Sequence, residues 1–238
     1  MSETSKGFVL APSSLTDALF ESVRLRIING DIAPGEKVTE SRIATDYSVA
    51  RTTAKACLER LTSVGLLTRT IHRTAVVPQF NEAEIRDLFF AREAVEASAV
   101  GALADRATVP SSAYEAQYAI EAAANLKSFD RQVEADVRFH SSLVEAAGSS
   151  RLNRMHEMIM GEVHLTMGQF QAHQSIAPET IAAEHADILA AIGAGDRVRA
   201  LDRLGHHLGG ARERLVARSA TTSLVAPGAE SEAEPSPA

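Results

Sequence analysis

The chain has 238 residues, a formal net charge of −7 and a single cysteine, Cys57, a length that allows two domains of ordinary size, each with its own core. Hydrophobic residues make up 45% and charged residues 23%, and no apolar run approaches the roughly 20 residues of a membrane span, which excludes an integral membrane protein. One cysteine excludes an internal disulfide and paired-cysteine zinc knuckles, and with an N-terminus that carries Glu3 and Lys6 instead of an apolar export signal it points to the cytoplasm.

Leu15, Leu19, Val23 and Ile27 recur at four-residue steps and predict an amphipathic helix over 15–29, stopped by Asn29-Gly30. Ile32-Ala33-Pro34-Gly35 reads as a turn. Thr39 can cap a short helix whose inner face is Ile43, Ala44 and Tyr47, and a longer one follows over about 50–64 with Ala54, Leu58 and Leu61 inward and Gly65 as its stop. Residues 66–69 and 74–78 read as two short strands joined by Ile71-His72-Arg73. That order is a winged helix-turn-helix.

From Asn81 onward only helical patterns appear. Asn81 and Glu84 form a capping-box start for a helix to about Arg106, and Pro110, Asp130, Ser149, Pro178 and Gly195-Asp196 mark later boundaries, giving about six helices with the last over 196–218. The expected fold is therefore mainly α: a winged helix-turn-helix over 1–79, an antiparallel all-α bundle over 80–219, and a disordered, Pro- and Glu-rich tail over 220–238.

Charge divides along the same boundary. Residues 1–79 hold 10 basic and 8 acidic side chains and the remainder 14 and 23; within 51–79 the count is five basic to one acidic. In a helix-turn-helix the start of the second helix faces base edges. Arg51, Thr52, Thr53 and Lys55 occupy that position, Arg51 with the bidentate reach a guanine needs. Arg69, His72 and Arg73 sit on or beside the expected hairpin tip, where they can follow phosphates or a minor groove. The plain alternative is a set of solvated surface charges.

The run Ile32-Ala33-Pro34-Gly35-Glu36-Lys37-Val38, with Arg42-Ile43-Ala44, Ser48-Val49-Ala50-Arg51-Thr52-Thr53, Leu58-Glu59-Arg60-Leu61 and Gly65-Leu66, resembles the DNA-binding domain of GntR-family bacterial regulators over most of 15–78. The resemblance implies a homodimer on a palindromic operator in double-stranded DNA.

Seven of the eight histidines lie beyond residue 79. Asp136 and His140, four apart on one predicted helix, can grip one ion. Ile188, Leu189 and Ile192 follow His185 at helical steps and turn it to the core, and His207 shares a face with Leu204 and Ala211 while the adjacent His206 points outward. These four side chains would meet in the middle of a bundle, as metal sites in bundles do. Spacing alone leaves them open between ligands and ordinary buried histidines. A metalloenzyme with ion-activated water is a further reading, but no general base is evident.

Asp136-Val137-Arg138-Phe139-His140-Ser141-Ser142-Leu143, Glu184-His185 with Ala191-Ile192 and Gly195-Asp196, and Leu204 with His207-Leu208 resemble the FCD-type ligand-binding domain of the FadR subfamily over about 81–218. The resemblance implies that Asp136, His140, His185 and His207 hold a divalent ion, and this donor set suits Zn²⁺ or Ni²⁺. It implies a transcription regulator, not an enzyme, whose effector is a small carboxylate-bearing acid at the metal. Arg92 matches a basic position on the first helix of that domain and would clamp the carboxylate; an i,i+4 surface pair with Glu96 is its alternative. A structural metal with an acyl-thioester effector is the other implication.

Overall fold

The computed structural model describes residues 15–69, 74–170 and 176–225. The chain divides into two compact units, one of residues 1–79 with 148–169 and one of 80–147 with 170–238.

In the first unit α1 (Leu15–Ile28) buries Leu19, Val23 and Ile27 of the expected stripe together with Phe20, while Leu15, the first residue of that stripe, is exposed at the helix start. Helix α2 (Glu40–Asp46) starts where Thr39 Oγ1 accepts the Arg42 N–H at 3.1 Å. Ser48, in the left-handed region at φ 53°, turns the chain into α3 (Arg51–Ser63). Helix α3 buries Ala54, Cys57, Leu58 and Leu61, and burial pushes the Cys57 thiol up to about 11, so it is an inert apolar contact. Gly65 follows at φ +77°, where a Cβ would lie 2.5 Å from the Met158 carbonyl oxygen.

The sheet differs from the expected hairpin. Its strands are β1 (Lys37–Val38) and β2 (Ala75–Val76), antiparallel with Lys37 opposite Val76 and Val38 opposite Ala75. Among the described residues Thr68 is the one position of 66–69 that pairs, exchanging backbone bonds of 2.8 and 2.9 Å with Val76. The Pro34-Gly35 turn signal masks β1, whose Val38 is buried beside Ala75 and Val77; the Gly35 N–H donates to Val77 O and the Val77 N–H to Glu36 O, extending this pairing. His72 and Arg73 lie outside the described residues.

Helix α7 (Ser150–Phe170) also falls mainly in the first unit. It carries Gly161 and Gly168, two turns apart on one face. A Cβ at Gly161 would sit 1.6 Å from Val64 O, and one at Gly168 2.6 Å from Ile28 O. The carbonyls that end α3 and α1 therefore rest directly on α7 backbone.

The second unit holds α4 (Glu82–Ala104), α5 (Ser111–Asn125), α6 (Phe129–Ala146), α8 (Pro178–Gly193) and α9 (Arg197–Val225). Both halves of the Asn81/Glu84 capping box are formed. Helix α4 packs on α9 and α6, α5 on α6 and α8, and α8 on α9, around Phe89, Leu103, Phe139, Ile188, Ile192 and Leu204. Six helices follow Asn81 among the described residues, as the boundaries predicted. The last one ends later than expected, at Val225 instead of 218, which corrects the start of the tail. Two of its hydroxyls bond within the helix, Ser219 Oγ donating to Val216 O at 2.9 Å and Thr221 Oγ1 to Ala217 O at 3.1 Å, and Arg218 Nε ties it to Phe170 O at 2.8 Å. Residues 226–238 lie outside the described residues, and among the described ones no helix is long and apolar enough to cross a membrane.

Candidate functional site

Helix α6 places Asp136 and His140 one turn apart, α8 brings His185 and α9 brings His207, all in the second unit and all buried. One ligand atom from each lies within 4.8 Å of all the others. The His207 Nε2 is 3.2 Å from the Nε2 of both His140 and His185, and the His185 Nε2 is 3.4 Å from Asp136 Oδ1. His206 is exposed, so the inward-outward assignment of the adjacent pair is the one the helical face gives.

The outer nitrogens fix what the inner ones carry. His140 Nδ1 lies 2.7 Å from Glu96 Oε2, and His207 Nδ1 lies 2.8 Å from Glu184 Oε2. A carboxylate accepts, so each Nδ1 is assigned a proton, and in the neutral ring each Nε2 is left with a lone pair. Two lone pairs at 3.2 Å repel, and a cation between them removes the repulsion. Burial holds the His185 and His207 pKa values well below the ordinary histidine range, which keeps both rings in the neutral, ligating form. His185 stacks on Phe139 with ring centres 3.9 Å apart and 4° between planes, while its Nδ1 has no hydrogen-bond partner among the described residues. The donor chemistry and the facing lone pairs fit a divalent ion.

Arg92, on α4, is fully buried. Its Nε donates to Glu96 Oε1 at 2.7 Å, so the expected partner is right but the surface setting is corrected: neither side chain reaches solvent. Among the described residues the other two guanidinium nitrogens have no hydrogen-bond partner. Leaving buried charged donors unmade costs several kcal/mol in order of magnitude, and an entering anion would offset that cost. Gln132, one turn before Asp136 on α6, is also buried, and its Nε2 has no hydrogen-bond partner among the described residues. Unsatisfied groups near the histidines therefore include donors suited to an acid.

The sequence missed Glu96 and Glu184 as braces for the rings. Glu184 precedes His185 in the chain yet serves His207 on another helix, and Glu96 acts across 44 residues. No local spacing encodes either link.

In the first unit Arg51, Thr52 and Lys55 are exposed at the start of α3, with Thr53 half-buried beside them. Arg51 donates to Ser41 Oγ on α2, and Lys55 Nζ lies 3.8 Å from Glu59 Oε1. Arg69 is exposed just past the Thr68 bridge, 3.5 Å from Glu40 Oε1. Surface pairs of this kind are weak and open to exchange for a phosphate.

Comparison with known proteins bears on both units. Residues 15–77 match the model of bacterial regulatory proteins of the gntR family, and residues 87–210 match the FCD domain. A probable D-xylose utilization operon transcriptional repressor of Paenarthrobacter nicotinovorans is 28% identical over 87% of this chain and 91% of its own. The HTH-type transcriptional repressor RspR of Escherichia coli (strain K12) is 24% identical over 73% and 77%. A crystal structure of a GntR transcriptional regulator from Rhodococcus sp. RHA1 superposes with a TM-score of 0.71 at 24% identity, covering 86% of this chain and 99% of that one.

Proposed function

The chain belongs to the gntR family of bacterial regulatory proteins and carries an FCD domain, which makes it a DNA-binding transcription regulator and not an enzyme, and from that premise we propose that it is a cytoplasmic repressor released by a small organic acid. A dimer binds a palindromic operator through two copies of α3. Arg51 reads a base, Thr52, Thr53 and Lys55 complete the contact, and Arg69, with His72 and Arg73, follows the backbone. Both curated relatives described above are named as repressors, which supports that sign.

Asp136, His140, His185 and His207 would hold the ion, Zn²⁺ or Ni²⁺ by the chemistry of three imidazoles and one carboxylate. When bound, the metal supplies Lewis-acid attraction for one oxygen of an anionic effector. Arg92 supplies the rest: its two free guanidinium nitrogens offer the planar fork that a carboxylate fills. That pair of buried, unsatisfied donors beside the histidines is the observation that carries the reading.

An effector acts only by preferring one arrangement of the protein, so it must bind less tightly once DNA is bound. The test is a salt-dependent titration of the purified protein against DNA from upstream of its own coding region, with a scrambled duplex as control, repeated with a panel of small carboxylic acids. Preferential binding to the native duplex, weakened by one acid in the wild type and not in Arg92→Ala, is expected. An acid with equal affinity for free and DNA-bound protein refutes the release mechanism.

A further inference from the structure

Glu96 divides its two carboxylate oxygens between groups with different tasks. Oε1 accepts from Arg92 Nε at 2.7 Å, and Oε2 lies 2.7 Å from His140 Nδ1. All three side chains are buried, the Glu96 side chain being only 2% exposed, so water does not compete for either contact. Arg92 itself touches none of the histidines through a described hydrogen bond; the path from its guanidinium to the ion site runs through Glu96.

We propose that Glu96 is a positioning residue that orients His140 toward the ion and couples the ion to the anion held by Arg92. This rests on the reading that Asp136, His140, His185 and His207 hold a metal. With Nδ1–H donated to Glu96, the neutral His140 ring directs its Nε2 lone pair at the site; without that acceptor the ring can take the other tautomer, with its one proton on Nε2, or rotate its ligating atom away. The second oxygen makes the brace conditional. When an anion takes the other face of the Arg92 guanidinium, Arg92 draws less on Glu96, whose charge is then more available to His140, and the ring becomes a stronger ligand. Ion and anion then favour each other's binding, as any coupling through a shared group must be reciprocal. Among the described residues His207 has its own brace in Glu184 and His185 has no hydrogen bond at Nδ1, so of the three rings His140 is the one those contacts connect to the arginine.

The probe is Ni²⁺ alone, on the full-length metal-free chain, with affinity read by chelator competition and the His140 tautomer by long-range ¹H–¹⁵N NMR. In Glu96→Gln one of the two oxygens becomes an NH2 that only donates, so Arg92 and His140 no longer each face an acceptor. Ni²⁺ affinity is expected to fall about 10–100-fold, the usual effect of removing such a partner, and His140 to lose its pure Nδ1–H form while the His207 signals stay in place. Unchanged affinity, or weaker binding with the His140 tautomer intact, overturns the proposal. A wild type that binds no Ni²⁺ overturns the metal reading itself, a distinct result. Arg92→Gln gives a second arm that leaves the brace standing: Ni²⁺ binding should tighten several-fold and the His140 Nδ1–H resonance shift, and no change in either refutes the coupling even if Glu96→Gln fails to fold.

Discussion

His140 and His207 face each other through Nε2 atoms 3.2 Å apart, while each ring is held from behind by a glutamate, Glu96 for one and Glu184 for the other. In the neutral rings neither inner nitrogen carries a proton, and the pair is arranged to share a cation. We expect metal analysis of His185→Ala and His207→Ala to show loss of the ion, with full retention refuting the ligand set. Saturating metal should also raise the wild-type Tm, because an ion at 100 times its Kd stabilises the native state by about 2.7 kcal/mol. Neither variant should share that rise.

The two glutamate braces are not equivalent. The Glu184 side chain is 18% exposed against 2% for Glu96, and water can take over part of its contact with His207. Glu184→Gln should therefore weaken Ni²⁺ binding less than Glu96→Gln does, and chelator competition on the two variants side by side decides the order.

Acid should destabilise the metal-free protein through His185 and His207. Their folded-state pKa values are held down by burial, first of all causes, while the unfolded chain titrates near about 6.5. As pH falls through that value the unfolded state takes up protons that the folded state refuses, so stability is lost toward low pH. Glu184, raised by desolvation, acts in the opposite direction at lower pH. The fall in Tm from about pH 7.5 to about pH 5.5 should shrink in His185→Gln, and an unchanged fall would count against this account.

At the DNA-reading helix, Arg51→Ala is expected to cost about 1–3 kcal/mol of operator affinity and to relax base preference at one position. Arg69→Ala should weaken native and scrambled duplexes alike and reduce the salt slope by about 1. Identical behaviour of the two variants in a salt titration would show that α3 is not the reading element.

Two helical glycines should respond in opposite directions to alanine. In Gly161→Ala the new Cβ would meet Val64 O at 1.6 Å, whereas at Gly209 nothing lies within 4 Å. The first should lose about 1–3 kcal/mol or more from overpacking. The second should gain up to about 1 kcal/mol from helix propensity. Thermal denaturation of both variants checks the pair.

Much of this was legible in the chain. Periodicity placed His185 and His207 inward and His206 outward because a helix face is a local property, and Asn81 with Glu84 marked the start of α4 for the same reason. What escaped was set at long range. Val76 pairs with both Lys37 and Thr68, and nothing near residue 37 announces a strand. Arg92 with Glu96 has the same i,i+4 spacing whether solvated or buried, so spacing could not reveal that two of its nitrogens are left wanting an anion. Nor did the sequence distinguish Gly161 and Gly168 from chance glycines in a helix.

Helix α7 belongs by sequence match to the FCD region, 87–210, yet by contact to the unit that contains α3. The polypeptide consequently passes between the two units at three points, near residues 79, 147 and 169, rather than through one linker. Grafting residues 1–79 onto a foreign sensor would leave the carbonyl ends of α1 and α3 without the glycine-bearing helix they rest on. Exchanging reading heads between relatives therefore calls for transplanting α7 with them, a discontinuous cassette rather than a simple fusion.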